Sequence, residues 1–347
     1  MPKAKQPCWS CLRAKVPANK PYCKPCQTRM WAGLPFSGQL NEPLSASAEQ
    51  PTLRQPGRFS LSGYQVKSSF SLIPNPTDAS VSVHFNPDKG QYILKEPLRE
   101  RSFSHPFDSC ANEHLSLQMA GQVFGLKVAE TALVQFSTGE WGYVCKRYDY
   151  APDGNKLIRE SGASLLQRTD PKNGETTFRT QGNYVELGLA LARYSAFGAV
   201  DLVRFFRQVL FSYLICNDDA HLGNFELLTD EWGQRSLSPA YDLLYTHLHT
   251  GPKDYFGLTE GLYPEWEHGP TMNTEGSPGT PEFVEFAHRL GLSNRVVQAE
   301  LKQLLAPKLL NSALGLIEQS YLSEESKASY KRTFEGRWRL LQRTWGH

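Results

Sequence analysis

Residues 199–216 carry Leu202, Val203, Phe206, Val209, Leu210, Tyr213 and Leu214 at three- and four-residue steps, and the pattern then breaks into Asn217-Asp218-Asp219-Ala220-His221-Leu222-Gly223-Asn224. A stripe this apolar predicts a helix buried along one face. Its C-terminal end is therefore delivered to the interior, where the chain places carboxylates, amides and an imidazole. The next residues, FELLT at 225–229, DEWGQ at 230–234 and RSLS at 235–238, predict an antiparallel hairpin. A hairpin returns to its origin. Asn224 and Asp242 are thus expected side by side, with Asp219 on the preceding loop, although 23 residues separate the two aspartates.

Three oxygen-bearing side chains at a helix end suit Mg²⁺, a hard cation that takes one or two carboxylates plus water and substrate phosphates. Phosphoryl transfer needs little more: an Asp to orient the acceptor hydroxyl and take its proton, an Asn and a second Asp for the metal, and a strand Lys for the phosphates. Asp219-x4-Asn224 has the spacing of a protein-kinase catalytic loop, Asp242 follows the hairpin as the metal-binding Asp does, and Lys95 ends a predicted strand. Taken alone, Asp-x4-Asn also describes a helix end followed by a capped turn. His221 receives a supporting role. Glu113, on a predicted helix, either pairs with Lys95 or is a solvated charge.

The period of the pattern changes along the chain. Residues 58–150 read as strands with one helix, at 109–124, whose Leu115, Met119, Ala120 and Val123 line one face. VSVHF, the NPDKG turn and QYILK at 81–95 predict a hairpin, and strands are expected at 131–136 and 141–148. Residues 151–347 form a mainly helical second part, in which 283–345 is helical and 249–282 is expected to be a long surface loop. Residues 37–57, rich in Pro, Ser, Gln and Gly, read as a connecting segment. The expected fold is α+β and two-lobed, protein-kinase-like, behind a separate module at 1–36.

That module holds Cys8-x-x-Cys11 and Cys23-x-x-Cys26, with eleven residues between the pairs. Four thiolates at this spacing can close a tetrahedral Zn²⁺ site, and a labile redox pair or fortuitous spacing are the other readings. Cys110, Cys145 and Cys216 stand apart as expected buried thiols. Residues 1–31 contain Lys3, Lys5, Arg13, Lys15, Lys20, Lys24 and Arg29 and no acidic residue, either a solvated basic end or one that attracts an anionic partner. For the whole chain, 37 basic against 35 acidic residues give a net charge of only +2, too little to imply nucleic-acid binding. With no secretory signal, no membrane-length apolar run and an odd cysteine count, a soluble protein of the cytoplasm is expected.

The segments RFSLSGYQVKSSFSL (58–72), YILKEP (92–97), NEHLSLQMA (112–120), KRYDY (146–150), NDDAHLGNF (217–225) and LSPAYDLL (237–244) resemble, in that order, the HipA family of serine/threonine kinase toxins. The opening cysteine module and the Ser-x-Ser-Gly-x-Gln-x-Lys segment look more like its short HipT branch. The resemblance implies that Asp219 is the catalytic Asp, that Asn224 and Asp242 hold Mg²⁺, and that Lys95 meets the ATP phosphates. It implies that Lys146 to Tyr148 form the hinge beside adenine, and that Ser60, Ser62, Gly63, Gln65 and Lys67 belong to the phosphate-covering segment. In this family serines of that loop become phosphorylated, which shuts the kinase off. Members act on aminoacyl-tRNA synthetases and are held by a small helix-turn-helix antitoxin, with a third small protein in the HipT branch, so DNA is met only through the antitoxin. The chain has one loop glycine, Gly63, and Lys146 where the family commonly has Glu. Asp219, His221 and Asn224 also resemble the small-molecule phosphotransferases of the aminoglycoside and choline kinase type. A zinc-containing binding protein on a degenerate kinase scaffold is the reading from a different class.

Overall fold

The computed structural model describes residues 5–41, 64–77, 80–86, 89–151, 153–168 and 176–345. Ser60, Ser62 and Gly63 lie outside the described residues. The fold is α+β. A six-stranded sheet comprises β3 (Gln39–Leu40), β4 (Lys67–Pro74), β5 (Val81–Phe85), β6 (Tyr92–Lys95), β7 (Thr131–Phe136) and β8 (Trp141–Lys146), in the order β3-β7-β8-β6-β4-β5. All its pairs are antiparallel except β3 with β7.

The expected 81–95 hairpin does not form. VSVHF and YILK flank β4 instead, each antiparallel to it. The strand at 67–74 competes successfully because Phe70 and Leu72 supply a buried apolar face that both neighbours can share. The chain between β5 and β6 crosses β4 at Gly90, where a Cβ would collide with Ser69 Oγ and Phe70 N. Only glycine permits that approach. Gln39 and Leu40, read from sequence as part of a connecting segment, pair with Gln135 and Phe136 as β3.

Side chains alternate across a strand, so the register divides the sheet into two faces. Phe70, Tyr92, Leu94, Val144, Ala132 and Val134 share one face and pack with Trp9, Met30, Trp31 and Phe36 of the N-terminal segment. That segment contains β1 (Lys5–Pro7), β2 (Lys15–Pro17) and α1 (Lys24–Trp31). The opposite face presents Lys95, Tyr143 and Cys145 toward α2 (Ser109–Gln122). Every residue from Ser109 to Ala120 is buried, which departs from the one-sided helix expected from its Leu115–Val123 stripe. The reason is a second neighbour: Ser116 Oγ meets Tyr330 OH at 2.9 Å, and Asp108 caps the far helix by accepting from Ser323 N at 3.0 Å.

Beyond the sheet lie β9 (Ile158–Ser161), α3 (Gly162–Leu165), α4 (Tyr184–Tyr194), α5 (Gly198–Leu214), β10 (Glu226–Thr229), β11 (Arg235–Leu237), α6 (His247–Thr250), α7 (Pro270–Glu275), α8 (Thr280–Arg289), α9 (Asn294–Leu304), α10 (Pro307–Gln319) and α11 (Glu324–Thr344). β10 pairs antiparallel with both β9 and β11. Residues 249–282 are not a surface loop. Phe256, Leu258, Leu262, Tyr263 and Trp266 are buried, and Phe256 packs on Tyr213, Phe283 and Trp266. The prolines and glycines that obscured any period here shape short elements around aromatic anchors. No helix among the described residues is long and apolar enough to cross a membrane.

Candidate active site

α5 ends at Leu214, and Cys216 takes φ +52°, a left-handed turn that stops the helix and turns the chain into the loop 217–224. The hairpin β10–β11 then carries the chain out and back. Its return is fastened to the loop: Tyr241 OH donates to Gly223 O at 2.7 Å and Asn217 Nδ2 to Asp242 O at 3.4 Å. Thr246 Oγ1 donates to Cys216 O at 2.6 Å and accepts from Asp218 N at 3.0 Å. Within the loop, Asn224 Nδ2 donates to Asp219 O at 2.9 Å, which leaves Oδ1 as the atom able to meet a cation. The loop's underside is closed by Gly257, where a Cβ would fall 2.6 Å from the backbone of Ala220.

Lys95 ends β6 on the face that looks at α2, and its Nζ meets Glu113 Oε1 at 2.7 Å and Asp242 Oδ1. Lys95 and Glu113 are 5% and 1% exposed, so this pair is shielded from water, while Asp242 is half-buried at its edge. Burial works against the Lys95 ammonium, but Asp242 and Glu113 outweigh it and its pKa lies above the ordinary lysine value. Burial would likewise raise Asp242, yet Lys95 and then Lys67 hold its carboxyl well below the usual range. For Glu113 burial wins over Lys95, and its carboxyl is pushed up to about 7. The single ammonium thus serves Asp242 first and Glu113 second. Asp242 also takes φ +52°, a backbone region that Asp tolerates better than most residues but that still costs energy.

Lys67 stands opposite Lys95 in register, so both lysines lie on the same face of the sheet. Gln65 Nε2 donates to Glu96 O at 3.3 Å, just beyond Lys95. His221 accepts from Gly223 N at Nδ1, 3.1 Å, and burial, then Arg179, lowers its pKa to about 4. It is a neutral imidazole at physiological pH. At the end of β8, Tyr148 lies against Tyr241 with ring centroids 5.9 Å apart, while Lys146 turns away and donates to Arg29 O at 2.8 Å on the N-terminal module. The structure therefore brings Lys95, Glu113, Asp219, His221, Asn224 and Asp242 to one place, with Lys67 and Tyr148 at its margins. The ammonium of Lys146 is not among them. Asn217 and Thr246 were not legible in sequence: their role is to tie two loops by backbone hydrogen bonds, and no spacing rule marks such residues.

The sulfurs of Cys8, Cys11, Cys23 and Cys26 lie within 4.8 Å of one another. Zinc–thiolate bonds of about 2.3 Å in a tetrahedron set sulfurs about 3.8 Å apart, and Cys11 Sγ to Cys23 Sγ is 3.9 Å. Cys23 N–H points at Cys8 Sγ at 3.3 Å and Arg29 at Cys26 Sγ at 3.5 Å, the donors that thiolate ligands attract. The cluster can chelate a metal ion, and the donor set fits zinc.

The profile of the HipA-like C-terminal domain matches residues 59–308. The chain belongs to the HipA-like family. Its relatives include the protein named "Putative kinase Y4dM" of Sinorhizobium fredii, 28% identical over an alignment of 201 residues that covers 54% of this chain and 45% of that protein. A Haemophilus influenzae protein named "Putative kinase" is 25% identical over 82% of each chain. This HipA-like chain thus spans under half the length of the first relative and most of the second. Among solved structures, HipA of the Shewanella oneidensis toxin–antitoxin system, described in complex with HipB and operator DNA, superposes with a TM-score of 0.57 at 15% identity, covering 83% of this chain and 66% of that one. At that identity the likeness concerns the fold.

Proposed function

We propose that the protein is an ATP- and Mg²⁺-dependent serine/threonine kinase whose two lobes, 58–150 and 151–347, close on the site described above. The observation that carries this reading is the buried Lys95–Glu113–Asp242 triad set against a loop that presents Asp219 and Asn224. Asn224 and Asp242 would hold Mg²⁺, which when bound neutralises charge on the nucleotide phosphates. Lys95, held in place by Glu113, would meet a phosphate oxygen of the nucleotide. Asp219 orients the acceptor hydroxyl and takes its proton; His221, neutral and bound to Gly223, shapes the loop without acting as an acid.

Within the HipA-like family the reading extends to a toxin of the short HipT-like branch, acting on a translation component such as an aminoacyl-tRNA synthetase. The Shewanella oneidensis HipA found with HipB and operator DNA supports a helix-turn-helix antitoxin as partner, with DNA reached through it, and a third small protein follows from the branch. Phosphorylation of Ser60 or Ser62 would set about −1.5 to −2 charges where the nucleotide phosphates belong and silence the enzyme. The four-cysteine module would carry zinc as a structural ion. The test is intact-mass analysis after incubation with Mg-ATP. Phosphate addition by the wild type that is absent from Asp219→Asn supports the reading; no addition to this protein or to any protein acceptor, with transfer to a sugar or amino alcohol instead, replaces it with a small-molecule phosphotransferase.

A further inference from the structure

Asn112 stands beside Glu113 on α2 and is 0% exposed. Its side chain does not join the triad. Nδ2 donates to Tyr245 O at 2.9 Å, and Oδ1 accepts from Tyr245 N at 2.9 Å. A backbone N–H only donates and a carbonyl only accepts, so these two bonds fix the orientation of the amide. The second Nδ2 hydrogen faces His249 Nε2 at 3.0 Å, and the other ring nitrogen, Nδ1, is 2.9 Å from Ser104 O. The tautomer follows: Nε2 is the acceptor, and Nδ1 carries the hydrogen and donates to Ser104 O. Ser104 N in turn donates to His249 O at 2.9 Å. His249 is 1% exposed, so the imidazole is locked from both sides.

Tyr245 lies three residues beyond Asp242, whose backbone is held at φ +52°. Its carboxylate meets Lys95 and its carbonyl accepts from Asn217 Nδ2, and the chain just beyond it is fastened at Tyr245. We propose that Asn112, oriented by His249, is a positioning residue of the phosphoryl-transfer site: it clamps the backbone of Tyr245 to α2, so that the carboxylate of Asp242 and the Lys95–Glu113 pair keep one fixed relation. The assignment rests on the kinase reading above. The clamp acts on the chain that presents a metal ligand and touches neither nucleotide nor acceptor. Its loss should therefore fall on the metal-dependent part of nucleotide binding.

The test compares wild type with Asn112→Ala, Asn112→Leu, His249→Gln and His249→Leu, measuring dissociation constants for ADP without metal and with Mg²⁺, and amide exchange across 242–247. Losing a buried hydrogen-bonded clamp worth about one to two bonds should weaken Mg-ADP by about tenfold in both Asn112 variants, with metal-free ADP within about twofold of wild type. Exchange at Tyr245 should rise in the same variants. His249→Gln keeps an acceptor for Asn112 and should behave as wild type, whereas His249→Leu should follow Asn112→Ala. If the Asn112 variants do not fold, the His249 pair decides the matter. Equal weakening of metal-free and Mg-bound nucleotide, or no difference between His249→Gln and His249→Leu, overturns the assignment and leaves the kinase reading standing. Failure of wild type to bind Mg-ADP overturns both.

Discussion

Lys95 touches both Glu113 and Asp242, so Lys95→Met removes the centre of an ion triad while keeping a side chain of similar length. Breaking a buried ion pair by deleting one partner costs about 3–5 kcal/mol, because the remaining charge stays desolvated. Here two carboxylates are left, and among the described residues Lys67 still faces them, with Asp219 and His221 also near. The sign with pH is informative. In the wild type Asp242 is held below its ordinary value, so it contributes stability above about pH 4 that is lost on acidification. Glu113, pushed up to about 7, acts oppositely: it favours the native state while protonated and loses that contribution as pH rises toward 7. In the variant burial raises both carboxyls, so stability should fall with rising pH through and beyond neutrality. Each group still titrating contributes up to about 1.4 kcal/mol per pH unit. Urea unfolding at pH 5, 6, 7 and 8 should show the gap from wild type widening by about 1 kcal/mol per unit between pH 6 and 8. A gap under about 1 kcal/mol at pH 7, or one that narrows as pH rises, would refute the reasoning.

Asp219→Asn should abolish transfer and keep Mg-ATP affinity within about threefold, whereas Asp242→Asn should weaken Mg-ATP by about tenfold or more; calorimetric titration separates the two, and normal transfer by Asp219→Asn would remove it from catalysis. Cys8→Ser/Cys11→Ser should release one zinc per chain by elemental analysis. Because Trp9, Met30 and Trp31 share a core with Phe70, Tyr92 and Val144, the same change should also lower the unfolding midpoint of the sheet, not merely loosen the N-terminus. Ser60→Ala/Ser62→Ala should give a protein whose ATP affinity no longer declines on prolonged incubation with Mg-ATP; phosphosite mapping that finds neither serine modified in the wild type rejects this control.

The strongly periodic parts were legible. The helix predicted at 199–216 spans Gly198–Leu214, the strand at 131–136 matches β7, and the hairpin after Asn224 has the expected turn. These are local patterns with one dominant signal each. What sequence could not supply was competition between strands: VSVHF and YILK look like a hairpin until β4 is known to bind both. Nor could it give the burial of 249–282, where aromatic anchors are held by tertiary contacts with no period. At the site, Asp219, Asn224 and Asp242 could be read from spacing plus the hairpin. Glu113 needed the sheet to show that α2 faces Lys95. Asn217, Thr246 and Asn112 act on backbone groups far away in sequence, and such partners leave no trace in a local pattern.

The burial of α2 from Ser109 to Ala120 bears on how the proposed kinase could be turned off. In many kinase scaffolds the helix bearing the glutamate swings outward, and a partner gripping its outer surface sets its position. Here Ser109–Ala120 has little outer surface to grip: the sheet lies on one side, α11 on the other, and the N-terminal residue Asp108 is engaged by Ser323 and Ser326. Pulling the helix away would expose Leu115, Leu117 and Met119, each fully buried, at about 1.5–3 kcal/mol apiece. That sum approaches the entire stability of an ordinary domain. The helix is consequently a fixed beam, and not a lever. If the proposed kinase is held by an inhibitory protein, the Lys95–Glu113 pair should stay assembled whether that partner is bound or absent.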